Sequence, residues 1–221
     1  NCPYGSKSIS RIIKLSLKNT SVLAEMNCKI IVIACNTATT NAIQEIRNLF
    51  PIPVIGIEPA IKPALLNTKT NKIGILATEM TLTSSLFNQT SNKFSDNIEI
   101  IEQIGFGLVN LIEKGDINTK KTKQLLKSYL DPMLDSNIDQ LVLGCTHYHF
   151  LVPIIRQIIP KEITIQDPNK VIAKQIKKIL NRENLENPLK NSYKNKVYVN
   201  GNTEIIKNII NSKGDVDFLD F

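Results

Sequence analysis

Two cysteines stand where a thiol can do acid–base chemistry. Cys35 closes an apolar run in IIVIACNTATT at positions 30–40, and Cys145 closes another in QLVLGCTHYHFL at positions 140–151. A continuous Ile/Val run reads as a strand buried on both faces, and such a strand hands the chain to a helix that covers the sheet. Each thiol is therefore expected at the carboxyl end of a strand. Asn36 and Thr37 are favoured N-caps for a helix over 38–50, whose apolar stripe is Ala38, Ala42, Ile43, Ile46 and Leu49. A helix N-terminus lowers a cysteine's pKa and offers free N–H groups to an anion, so one stretch can supply both a base and a carboxylate seat.

The two stretches belong to a repeat. Cys35 is followed by a helix, Pro51, a strand and Glu58-Pro59; Cys145 is followed by an apolar-striped segment, Pro160, a strand and Asp167-Pro168. The offsets to the first proline are 16 and 15 residues and to the acidic residue 23 and 22, so one deletion aligns the halves. A lone cysteine at a strand end is more often a small core residue; two in equivalent places change that reading. Cys2 and Cys28 lack such surroundings and are read as structural. His147, two residues after Cys145, could protonate or orient the thiol or hold an anion, although a lone histidine is more often a surface or cap residue. Glu58 and Asp167 follow strand ends, where they could orient site groups or merely cap the next helix. His149 is given no role.

Two opposed thiols suit a reaction that removes a proton from one face of a carbon and returns one to the other. A racemase acting on a carbon acidified only by a neighbouring carboxylate needs two such groups, each thiolate in one direction and thiol in the other. That chemistry calls for no cofactor.

The elements that must carry the thiols alternate. Helices are expected over 6–26 (with a polar break near Asn19-Thr20), 81–94, 120–134, 171–180 and 204–210, and strands over 54–57, 72–78, 97–103, 163–165 and 197–199. Pro3 and Gly5 mark a turn in residues 1–5, Gly105 opens a loop running into a helix, and 182–196, with Pro188, is a polar linker. Strand–helix alternation indicates an α/β fold with mostly parallel sheets, whose ligands bind beyond the strands' carboxyl ends.

Composition narrows the alternatives. The 221 residues suffice for one large or two small domains. No run reaches the roughly 18 apolar residues of a membrane span, and no signal peptide is evident at the start. Four cysteines without a CxxC pair, and two histidines, show no zinc spacing and no disulfide framework, so no metal and free thiols in a reducing cytoplasm are expected. The net charge of +7 comes from lysines scattered without interleaved aromatics, a solvated surface rather than a nucleic-acid site.

The pieces PYGSKS (3–8), ACNTATT (34–40), PVIGIEPAIKPA (53–64) and LGCTHY (143–148) resemble glutamate racemase, within the aspartate/glutamate racemase superfamily. The resemblance implies cofactor-independent interconversion of L- and D-glutamate, supplying D-glutamate for peptidoglycan. It implies that Cys35 and Cys145 exchange the protons with His147 assisting Cys145, and that Tyr4, Gly5, Asn36, Thr37, Thr146 and His147 contact the substrate. It further implies two similar three-layer α/β domains related by a pseudo-twofold, 1–68 with 173–221 and 69–172, the site lying in the cleft between them; a homodimer is allowed. The family opens on an Asp-Ser-Gly strand, and this chain begins after it, so the first sheet is expected to lack a central member. Where relatives often carry Ala-Cys-Pro before Val-Pro-Leu-Val-Glu, this chain reads IGFGLVNLIE, which leaves Glu113 without an assigned role. The competing readings are a racemase of aspartate or a related acid, and an inactive chain that only binds; two thiols disfavour a single-cysteine decarboxylase.

Overall fold

The computed structural model describes residues 2–94, 97–187, 195–210 and 215–221; Asn1 and Pro188 lie outside them. The chain opens with α1 (Ile9–Glu25), β1 (Ile31–Ile33), α2 (Asn36–Leu49), β2 (Val54–Gly56) and α3 (Ile61–Asn67). Next come β3 (Lys72–Ala77), α4 (Glu79–Leu82), α5 (Ser85–Phe94), β4 (Glu99–Ile104), α6 (Leu108–Glu113), α7 (Lys120–Asp135) and β5 (Gln140–Gly144). A 3-10 turn (Thr146–Leu151) leads into α8 (Val152–Ile158), β6 (Thr164–Gln166) and α9 (Asn169–Arg182). The last elements are β7 (Val197–Val199), α10 (Thr203–Ile210) and β8 (Val216–Phe218).

Every described strand pairing is parallel, as the alternation predicts. A four-stranded sheet runs β4-β3-β5-β6, while β1-β2 and β7-β8 form two separate ribbons. β5 is buried along its whole length, which explains its central apolar run of Leu141, Val142 and Leu143. It pairs with β3 through Ala77 opposite Gly144, and a Cβ on Gly144 would overlap that of Ala77. Glycine therefore lets the two strands close together one residue before Cys145. The sheet is covered on both faces. One carries the cluster of Leu126, Leu130, Tyr148 and Leu151, the other that of Ile61, Ile73, Ile75 and Phe87, which gives the three layers expected of this fold class. The β1-β2 ribbon has its own smaller core of Ile31, Ala42, Ile43, Ile46 and Val54. Arg47 of α2 fastens the helix to β2, donating to the Val54 carbonyl at 3.1 and 3.2 Å.

Four local expectations are corrected. α1 runs unbroken through Asn19 and Thr20, because the buried Thr20 hydroxyl donates to the Ser16 carbonyl one turn back at 2.8 Å. The helix over 81–94 is two helices: Ser84 ends the first by donating to the Thr81 carbonyl at 2.7 Å and caps the second by accepting from Phe87 N–H. Asn36 and Thr37 lie inside the first turn of α2, and Cys35 itself holds the N-cap position. β8 was not foreseen, since the alternating VDF is too short to register before it pairs with β7. Between α3 and β3, Asp139 accepts from the Thr68 hydroxyl and from Lys69 and Thr70 N–H, pinning the link between the two elements. Among the described residues no helix is long and apolar enough to cross a membrane.

Candidate functional site

Both thiols leave their strands in nearly the same backbone conformation. Cys35 has φ −141° and ψ 119°, Cys145 φ −147° and ψ 131°, and each immediately precedes a helix. The exits differ in winding. Thr39 N–H donates to the Cys35 carbonyl four residues back, an α-turn, whereas Tyr148 N–H donates to the Cys145 carbonyl three back, a 3-10 turn. Tyr148 explains the tighter exit: it is fully buried, and its hydroxyl donates to the Gly105 carbonyl at 3.0 Å.

Cys35 and Cys145 line one cavity of about 560 Å³, with Tyr4, Gly5, Thr37 and His147. The strand ends are tied across it. The Thr146 hydroxyl donates to the Ala34 carbonyl at 2.6 Å, joining the residue after the second thiol to the residue before the first. Thr37, Thr78 and Thr81 share a triangle of buried hydroxyls at 2.9 to 3.3 Å, which joins α2 to the end of β3 and to α4. Gly5 packs on Thr78, where an added Cβ would come within 3.1 Å of the threonine Cβ. The Tyr4 hydroxyl accepts from Asn19 at 3.3 Å, and Asn36 is buried and donates to the Ile57 carbonyl.

The electrostatics of the two thiols are unequal. Burial pushes the Cys35 thiol up to about 11, against the helping N–H of Ala38, and the charge of Cys145 adds to the rise. The expectation that the helix N-terminus would lower this pKa is thus corrected: desolvation of the anion outweighs the helix end. Around Cys145 the balance differs. Its sulfur lies 4.0 Å from His147 Nδ1, and His147 Nε2 lies 2.6 Å from a Glu113 carboxylate oxygen. Burial alone would lower the imidazole pKa, but hydrogen bonding to Cys145, Cys2 and Glu113 outweighs it and pushes the ring up to about 12. The Glu113 carboxyl is lowered, chiefly by its bond to His147. The pair is an imidazolium–carboxylate dyad backing Cys145.

Glu58 and Asp167 are not brought to the cavity. Glu58 is exposed and outside its lining, and Asp167 accepts from Asn169 N–H at 2.9 Å at the start of α9. Sequence reasoning left Glu113 unassigned and read Cys2 as structural, yet both come close to His147. Glu113 ends a short apolar helix after a glycine pair, a weak signal; nothing in the spacing of Cys2 pointed there.

The model of the Asp/Glu/hydantoin racemase family matches residues 8–176, a span that includes both thiols. A glutamate racemase from Ralstonia pickettii (strain 12J) is 42% identical over 180 residues, which is 81% of this chain and 64% of that protein, so the chain spans less than two thirds of that relative. The crystal structure of Escherichia coli glutamate racemase with L-glutamate and the activator UDP-MurNAc-ala has a TM-score of 0.86 at 27% identity, covering 99% of this chain and 85% of that one. Glutamate racemase from Francisella tularensis, in complex with D-glutamate, has a TM-score of 0.81 at 27% identity, covering 98% and 82%. With two parallel α/β regions arranged as in those structures and a family model spanning both thiol units, the chain belongs to the Asp/Glu/hydantoin racemase family of amino-acid isomerases, alongside the glutamate racemases.

Proposed function

We propose that the chain interconverts L- and D-glutamate without a cofactor, Cys35 and Cys145 serving as the two acid/base groups. The observation that carries this reading is the convergence of two equivalently built strand–thiol–helix units on one cavity. In one direction a thiolate removes the Cα proton while the opposite thiol supplies a proton to the other face; the reverse reaction exchanges the roles. Cys145 has a local proton partner in His147, itself held by Glu113. At Cys35 burial outweighs the Ala38 N–H and the charge of His147, so its thiolate is scarce but strongly basic once formed. The first turn of α2, with Asn36 and Thr37, receives the substrate's α-carboxylate, and Tyr4, Gly5, Thr146 and His147 complete the contacts.

The same reading assigns the product to peptidoglycan synthesis and the protein to the cytoplasm, as a monomer or homodimer. It also divides the chain into 1–68 with 173–221 and 69–172. Tyr198, Leu219 and Phe221 support that return of the chain, since they line the same cavity as Ile31 and Ile33 of β1.

The test is incubation with L-glutamate in D₂O without pyridoxal phosphate, following Cα deuteration and optical rotation. Exchange and racemisation are expected, with both abolished in Cys35→Ala and in Cys145→Ala. Full racemisation by either variant would sink the two-base assignment, and exchange with aspartate alone would move the substrate.

A further inference from the structure

Cys2, Glu113 and His147 come from three distant stretches: the N-terminal turn, the last residue of α6 and the 3-10 turn after β5. The fold nevertheless brings one donor atom of each together. The Cys2 sulfur, a Glu113 carboxylate oxygen and a His147 ring nitrogen all lie within 4.8 Å of one another. Sulfur, imidazole nitrogen and carboxylate oxygen make a mixed set that suits a borderline-soft cation, whereas calcium and magnesium take oxygen ligands. Metal–ligand bonds of about 2.0–2.3 Å in a tetrahedron place donors roughly 3.3–3.8 Å apart. To hold an ion, the widest separation would contract by up to about 1–1.5 Å, while His147 Nε2 and the Glu113 oxygen, now 2.6 Å apart, would open by roughly 0.7 Å. Cys2 is exposed, while Glu113 and His147 are half-buried on packed elements, so the thiol is the donor with room to adjust. Cys2 and His147 also both line the cavity, which gives an ion a way in. As thiolate and carboxylate, Cys2 and Glu113 would neutralise a divalent charge.

We propose that Cys2, Glu113 and His147 form a site for a thiophilic divalent cation of the zinc class, and that its occupancy stops proton exchange between His147 and Cys145. The second half rests on the racemase reading above. Three protein ligands leave the fourth position of the ion to water. Binding forms coordinate bonds from the donors' lone pairs and releases the His147 ring proton and the Cys2 thiol proton; nothing is oxidised or reduced. A ring whose nitrogen is committed to the metal, one contact from the Cys145 sulfur, no longer relays a proton to it.

The site is tested with Co²⁺ as a spectroscopic probe and Zn²⁺ as competitor. The expected result is one Co²⁺ per chain with a thiolate-to-cobalt charge-transfer band, displaced by one equivalent of Zn²⁺. The band should vanish in Cys2→Ser, persist in Cys28→Ser and Cys145→Ala, and require at least about tenfold more metal in Glu113→Gln. No band in the wild type, or a band that survives Cys2→Ser, overturns the site. In parallel, Zn²⁺ should suppress deuterium exchange at glutamate Cα by tenfold or more, reversibly with EDTA. Metal bound without loss of exchange overturns the silencing. A chain that exchanges no glutamate before metal is added would instead fail the racemase reading, while the cobalt spectrum still decides the site.

Discussion

At Cys35 two effects oppose each other, and magnitude decides between them. A helix end contributes only the partial charge of its first N–H groups, whereas partial withdrawal from water at this half-buried residue acts on the whole charge of the thiolate. Burial wins, and the thiol rests protonated near neutrality with a pKa of about 11. At His147 the order is reversed, since three hydrogen-bonding partners overcome a desolvation that disfavours the imidazolium. That dyad has a pH signature. The raised pKa of His147 contributes stability fully present below its ordinary 6.5 and lost as pH rises towards about 12. The lowered pKa of Glu113 contributes stability present above its ordinary 4.5 and lost as pH falls through the lowered value. The melting-temperature gap between wild type and Glu113→Gln is therefore expected to be widest between these two ordinary values and to shrink on both sides. A gap independent of pH would show that the pair is not charged.

At the scale of elements, the thiol units depend on close strand packing more than on caps. Neither α2 nor the 3-10 turn has a side-chain cap hydrogen bond. What fixes Cys145 is β5 pressed against β3 at Gly144, together with Tyr148 buried beneath the turn. Gly144→Ala sets a methyl group against Ala77 and should cost about 1–3 kcal/mol, read as a lower urea midpoint with unchanged slope. Because the strands must part next to Cys145, exchange activity should fall in the same variant under conditions where it is still folded. An unchanged midpoint would mean that β3 and β5 have room to spare.

Across the whole molecule, few polar contacts hold the two thiols in register. The Thr146–Ala34 bond joins the two thiol-bearing strand ends, the Thr37–Thr78–Thr81 triangle joins α2 to β3 and α4, and Asp139 pins the link between α3 and β3 from the side of β5. Thr146→Val removes the shortest crossing bond at almost constant volume. The expected cost is about 0.5–1.5 kcal/mol in stability. A larger proportional loss should appear in kcat for glutamate racemisation, since both proton-transfer distances depend on this contact. Equal kcat with reduced stability would assign the bond to folding alone.

The sequence by itself determined the α/β class, the parallel pairing, the placing of Cys35 and Cys145 at strand ends and the duplication of the unit. These rest on local apolar runs and their spacing, which short-range physics reads directly. It also put His147 beside Cys145, because two residues in one turn cannot separate far. Only the tertiary structure decided that Glu113 and Cys2 reach His147, that Glu58 and Asp167 stay away from the cavity, and that desolvation pushes the half-buried Cys35 thiol up. Those outcomes depend on contacts between residues 34 positions apart (Glu113 and His147) or far more (Cys2 and His147) and on how much water each group loses, and neither is encoded in a local pattern. The same gap explains why cysteine spacing argued against a metal site while the folded chain assembles three donors: spacing rules see ligands on one loop, whereas these three meet only once separate elements pack.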